Sequence, residues 1–483
     1  MPVACIMIKP ISMRVIALII LAISFSRATA GASHIGGGDQ NPALETDQTA
    51  LAKWQDAKIG LTMHWGPIAL RGTEIGWSRV GRAGEPGSEL TGWSSTAQVP
   101  APDYDSLYKE FNPVLFNAEE WAQLLKDSGF RYVALVSKHH DGFVMWDTKQ
   151  TDYNIMHTAF HRDWLKEISD ACRKQGIMFG VYYSILDFYQ YDYSGGAAPG
   201  STPNRGGPGV KLDRPPDFER YVSYMKAELK ELIQDYGIED LVLDGNWDPS
   251  WTHQRGGDLY RYLHGLKHDL LVSNRVDDKA GDEEARALGY DKALWVFYSK
   301  LWNPAVYAGD FLDREEYIGG PAPYPWEAWI TMGEQWAWMA NDKYKSPEDI
   351  IRYMVETVGG GGNFNLNVTP MADGRFEQRQ KDALLKIGAW LKANGDSVYG
   401  TRGGPFEPGL WGASTRRGNK VYVHVLSWPG ETLRLPPLDH AVKSARRLTG
   451  GEAQCKQTAG GLELSVPESQ RDRLDTIIEL TLD

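Results

Sequence analysis

Two adjacent histidines close an apolar run. In "YVALVSKHHDGF" the stretch Tyr132 to Val136 reads as a buried strand, and Lys138, His139, His140 and Asp141 follow at its tip. Such a tip suits three purposes: metal ligation, hydrogen bonding to a hydroxyl-rich ligand, or simple solvation of a turn. A metal centre needs at least three converging ligands, and neighbouring strand residues point to opposite faces, so His139 and His140 make an awkward pair for one ion. A solvated turn is the default for one polar tip. Here four more follow the same rule: His64 ends "KIGLTMHWG", Tyr182 lies in "GIMFGVYYS", Asp244 ends "DLVLDG" and Arg275 ends "LLVSNR". Brought together, imidazoles, a phenol and a guanidinium would donate to hydroxyl oxygens around one carboxylate. We therefore expect hydroxyl binding, no metal and no cofactor.

The segments between these tips read as helices that could bring them together. Asn117 caps a helix with Trp121, Leu124 and Leu125 on one stripe; Asp163 starts another carrying Leu165, Ile168 and Cys172; a longer one from Asp217 to Tyr236 buries Phe218, Tyr221, Met225, Leu229 and Ile233. A further helical stretch runs near Leu259 to Leu266. Near-continuous apolar strands alternating with amphipathic helices predict a parallel sheet covered on both faces. Of the two such architectures, a (β/α)8 barrel over residues 50–400 gathers every strand tip at one mouth, whereas an open doubly wound sheet spreads them along an edge. After "SVYGTR" the pattern becomes short alternating runs, "KVYVHVL", "ETLRLP", "LELSV" and "TIIELTL", which predict a small antiparallel β-sandwich over 401–483. The Gly/Pro-rich stretch from Ser194 to Pro216 reads as a loop near the mouth.

Composition narrows the ligand. The chain has 483 residues, 42% hydrophobic and 24% charged, with a formal charge of −12 and a pI near 5.5. That balance argues against nucleic acid or an anionic membrane surface as a partner. Eighteen Trp and 23 Tyr lean weakly toward carbohydrate, since sugars present C–H faces to flat rings. Residues 1–30 read as a secretory signal peptide, with Lys9 and Arg14 ahead of "VIALIILAISF" and an Ala28-Thr29-Ala30 cleavage pattern, followed by a segment 31–49 before the barrel. The expected destination is the periplasm or the medium. Cys5 leaves with the leader, and Cys172 and Cys455 are expected as buried free thiols.

Several motifs together resemble the α-L-fucosidases of glycoside hydrolase family 29: "HWG", "YDSLYKEFNP", "KHHDGF", "GVYYS", "LDGNW" and "GGGGNFNLNVTPMADG" before "IGAWLKANGDSVYGTR". The resemblance spans nearly the whole chain from about residue 50, and the ordered set is specific where any one motif is weak. It implies an exo-acting, retaining hydrolase of fucosylated glycans that works through a covalent glycosyl-enzyme. Such chemistry needs two carboxyls about 5 to 5.5 Å apart, one ionised and one protonated. The matching nucleophile is Asp244, with Asp248 a neighbour past the strand tip. The acid/base pattern falls on Glu315 in "DFLDRE", with Glu316 and Glu327 as competitors. The resemblance also assigns substrate contacts to His64, His139, His140, Tyr182 and Arg275, and aromatic walls to Trp77 and Trp336.

Some positions depart from the family. Val242 stands where the family often has Trp two residues before the nucleophile, "SNR" replaces "NDR", and Asn365 and Thr369 replace a usual leucine and glycine. Loss of a Trp wall would admit a bulkier or branched sugar. Two further readings therefore stand beside the fucosidase: an α-L-galactosidase on the same scaffold, and a catalytically weak carbohydrate-binding protein. A second carboxyl opposite Asp244 separates enzyme from binder.

Overall fold

Eight short, largely buried strands build the larger part of the molecule. The computed structural model describes residues 35–81, 97–196, 205–277, 302–316, 318 and 320–483, so the expected leader at 1–30 lies outside the described residues. The strands are β1 (Ile59–Met63), β2 (Tyr132–Lys138), β3 (Met178–Ser184), β4 (Asp240–Asp244), β5 (Leu271–Val272), β6 (Leu312–Glu315), β7 (Trp326–Thr331) and β8 (Asn363–Val368). They form one parallel sheet in the order β5-β4-β3-β2-β1-β8-β7-β6. Its two edges meet: Ser273 bridges Phe311 in parallel, and the Asn274 amide donates to the Phe311 carbonyl at 2.8 Å. A closed sheet has no edge, so the expected barrel is the architecture formed and the open doubly wound sheet is not.

Period two explains the unbroken apolar runs. Along β2, Val133 and Leu135 face the helices while Tyr132, Ala134 and Val136 fill the barrel with Tyr182, Val242, Leu271, Phe311 and Trp329. Gly60 of β1 is required there, because a Cβ would come within 2.2 Å of the Tyr132 ring.

The helices include α1 (Gln48–Ala57), α2 (Ala118–Asp127), α3 (Trp164–Lys174), α4 (Phe218–Gln234), α5 (His253–Leu266), α6 (Pro347–Gly359) and α7 (Gln378–Asn394). Side-chain caps fix where five of the six after α1 begin or confirm their entry angle: Asn117 accepts from the Glu119 and Glu120 amides, Asp163 from Lys166, Asp217 from Glu219, Thr252 from Arg255 and Ser346 from Asp349.

Two antiparallel sheets follow. One runs β9 (Arg402–Gly403), β10 (Gly412–Arg417), β11 (Lys420–Val425), β16 (Thr476–Leu482) and β13 (Val442–Arg447); the other runs β12 (Thr432–Leu435), β15 (Gly461–Ser465) and β14 (Gln454–Thr458). Val421, Val423, Leu433, Leu435, Leu462, Leu464, Ile478 and Leu480 pack between them as a separate core. Gly359 at the end of α6 sits against β10, where an added Cβ would approach that of Ala413 to 2.4 Å. Cys172 is a buried free thiol, but Cys455 is partly exposed on the short outer strand β14, which corrects the expectation that both are buried.

Candidate active site

The strand tips converge as a barrel requires. Asp244 ends β4 and is held on several sides: the Tyr182 hydroxyl donates to Oδ2 at 2.7 Å, Arg275 Nη1 to Oδ1 at 2.8 Å and the Gly245 amide to Oδ1 at 2.9 Å. His140 Nε2 stands 3.5 Å from Oδ2. Burial alone would raise this carboxyl, but Arg275, His140 and Tyr182 outweigh it and leave Asp244 below its ordinary value.

Arg275 owes its aim to the early end of β5. Only Leu271 and Val272 pair as strand; Asn274 to Val276 then make a single 3₁₀ turn, shorter than "LLVSNR" suggests. The turn is pinned to β6, since the Asp313 amide donates to Asn274 Oδ1 at 2.9 Å. From there Arg275 Nη2 donates to Glu315 Oε2 at 3.0 Å. Burial pushes Glu315 up to about 7, Arg275 opposes, and the Asp244 charge adds to the rise. One guanidinium thus links two carboxyls whose proton affinities are driven apart.

The histidines reach one space because β2 bulges. Its pairing with β3 shifts between Val136 and Lys138, so the strand alternation that would send His139 and His140 apart is broken before them. Their ring centroids lie 4.2 Å apart. His139 stacks on Tyr182 at 5.5 Å and 12°, and His140 Nδ1 meets Ser184 Oγ at 2.6 Å. His64 donates Nδ1–H to Asn367 Oδ1 at 2.8 Å, an orientation fixed because Asn367 Nδ2 donates to the Trp336 carbonyl at 2.8 Å. Burial lowers His64 and His140 to about 4 and His139 well below its ordinary value. All three rings are therefore neutral donors and acceptors at pH 7, suited to hydroxyls. Among the described residues no group of three or more His, Cys, Asp or Glu is arranged to hold a metal ion.

Two aromatic walls complete the mouth. Trp336 packs on His64 at 4.9 Å, and Trp77 packs edge-on to His140 at 4.9 Å. Trp247, inside the quoted "LDGNW" yet not singled out, stacks on Trp77 at 5.9 Å and 21°. Val242 lies in the barrel interior, so the walls come from loops rather than from that position. Glu74 was also missed: buried, it accepts the Trp336 amide at 3.0 Å and the Ile75 amide at 3.2 Å, joining the loops that carry both walls. Burial raises it to about 7.

The competing acids point elsewhere. Glu316, at φ 49°, accepts the Thr331 amide at 2.5 Å, and Glu327 lies inside the barrel against Tyr132, Trp329 and Asn365. Asp248 accepts the Ser250 amide at 2.9 Å within its own turn. All nine residues singled out from the sequence, Asp244, Glu315, His64, Trp77, His139, His140, Tyr182, Arg275 and Trp336, line this one mouth.

Known proteins resemble this chain in sequence and fold. The α-L-fucosidase family model matches residues 37–396. An α-L-fucosidase of Branchiostoma floridae is 28% identical over 411 residues, covering 81% of this chain and 83% of that protein. Isoenzyme 1 of Paenibacillus thiaminolyticus α-L-fucosidase superposes with a TM-score of 0.74 at 31% identity, covering 90% of this chain and 99% of that one. A Bacteroides thetaiotaomicron α-L-fucosidase trapped as a covalent intermediate with 2-fluoro-fucosyl fluoride superposes at 0.72 with 26% identity, covering 94% and 98%. With the family model matched across the whole barrel, the chain belongs to the α-L-fucosidases of glycoside hydrolase family 29.

Proposed function

We propose that this protein is an exo-acting, retaining α-L-fucosidase that removes terminal fucose from exported or extracellular glycans. The observation that carries the reading is the split pair on Arg275: Asp244 held ionised, Glu315 keeping its proton until the pH rises to about 7. In the first step an Asp244 oxygen bonds to the anomeric carbon as the C–O bond to the aglycone breaks, and the Glu315 proton passes to the leaving oxygen. Glu315 then takes a proton from water, whose oxygen bonds to the anomeric carbon and releases Asp244. His64, His139, His140 and Tyr182 bind sugar hydroxyls; Trp77 and Trp336 flank the ring. A second carboxyl beside Asp244 favours an enzyme over a mere binder. The apolar face of Trp336 beside His64 favours a 6-deoxy sugar over an α-L-galactoside.

The test is hydrolysis of 4-nitrophenyl α-L-fucoside followed by NMR, with the α-L-galactoside in parallel. The reading expects α-L-fucose as the first anomer released and a strong preference for the fucoside. β-L-Fucose as first product, or preference for the galactoside, would overturn it.

A further inference from the structure

Arg275 binds a third carboxyl that the two-step scheme does not use. Asp313 Oδ2 lies 2.5 Å from Nε, while Nη1 and Nη2 serve Asp244 at 2.8 Å and Glu315 at 3.0 Å. Each edge of the guanidinium therefore carries a different carboxyl. Asp313 and Glu315 are two residues apart on β6, which places both side chains on one face of the strand. Asp313 is 4% exposed, and its other oxygen has no hydrogen-bond partner among the described residues, so Arg275 is the group that holds it.

We propose that Asp313 is a positioning residue that fixes Arg275 and so decides which carboxyl of the reacting pair keeps the proton. The inference rests on the fucosidase reading of Asp244 and Glu315. Three ionised carboxyls around one buried cation would leave a net charge of two negatives in a largely buried site, so a proton stays. Anchoring Nε leaves the two Nη groups aimed at the mouth, and a charge on Asp313 disfavours a second charge on Glu315. The order of proton affinities agrees: Asp244 is lowered, Asp313 is raised by burial to about 6, and Glu315 to about 7. The other charged or titratable groups described around this cluster are His64 after β1 and His140 after β2, both neutral near pH 7, Tyr182 on β3, Asp240 on β4, Glu327 on β7, and Glu74 on the loop after β1. None is a cation, so Arg275 is the only positive charge named among them.

The test is the pH dependence of kcat/KM on 4-nitrophenyl α-L-fucoside for Asp313→Asn, which removes the charge and keeps an acceptor for Nε. Glu315 should then lose its proton at lower pH. The alkaline limb moves down by about one unit, giving about tenfold lower kcat/KM above the wild-type limb and little change on the plateau. A merely structural role would lower the whole profile without moving the limb. Should Asp313→Asn fail to fold, the same profile is read on Asp313→Ser. An unmoved limb in whichever variant melts cooperatively overturns the proposal. Survival of the limb in Glu315→Gln would instead overturn the assignment of Glu315 itself, which keeps the two failures apart.

Discussion

Asp240 and Asp244 open and close the same strand, yet their protonation diverges. Asp240 faces the barrel interior, where burial and the neighbouring Glu327 and Asp313 raise it well above its ordinary value. Asp244 is also buried, but Arg275, His140 and Tyr182 hold it low. The other interior acid, Glu327, has neutral donors only, Tyr132, Trp329 and Asn365, and burial lifts it to about 8. Burial is common to both ends of β4; the placement of one guanidinium separates a carboxylate held ionised, the proposed nucleophile, from carboxylic acids that pack as neutral groups.

Breaking the reactive end should have the largest effect. Asp244→Ala removes the proposed nucleophile and is expected to lower kcat by roughly 10⁴-fold or more, read by fucoside hydrolysis with unchanged unfolding. Glu315→Gln should cost on the order of 10² to 10⁴ with poor leaving groups and much less with 4-nitrophenol, and azide should restore turnover, releasing 4-nitrophenol while the fucosyl group leaves Asp244 as fucosyl azide. In the wild type, activity is expected to fall as pH rises through about 7, where Glu315 gives up its proton. A flat profile across that range would remove Glu315 as the acid.

Arg275→Met tests the cation itself. It leaves Asp244, Asp313 and Glu315 without a counter-charge, so stability should drop by about 3 to 5 kcal/mol, and the acid limb should move to higher pH as Asp244 regains an ordinary or raised value. The smallest effect belongs to the interior. Because the folded value of Glu327 is raised, its contribution is complete below the unfolded value of 4.5 and is lost as pH rises through about 8. Glu327→Gln should therefore flatten the fall of the melting temperature across that window while leaving the fucoside profile in place. Equal slopes for the two proteins would show that Glu327 does not titrate with folding.

The comparison also marks what the sequence made legible. Strands β1 to β4 announced themselves because both faces of a barrel strand are buried, and the polar residue that ends each run stood out against it. Strand β6 did not: "LDRE" spends three of its four residues on charge, and β8, "NFNLNV", alternates asparagine with apolar residues because Asn363, Asn365 and Asn367 serve Trp54, Glu327 and His64 rather than the core. The pairing of His139 with His140 was hidden by the β2 bulge, which no periodicity predicts. Glu74 and Asp313 escaped for the same reason. Each looks like an ordinary surface acid until tertiary structure buries it, and each carries a partner far along the chain.

The central claim is that Asp244, among several buried acids, is the one that bonds to the sugar. Incubation with 2-fluoro-fucosyl fluoride, proteolysis and mass spectrometry test it directly. The account predicts a single fucosyl adduct on the peptide containing Asp244, formed with loss of activity and absent in Asp244→Ala. An adduct on another carboxyl, or continued turnover of 4-nitrophenyl α-L-fucoside with none formed, would contradict it.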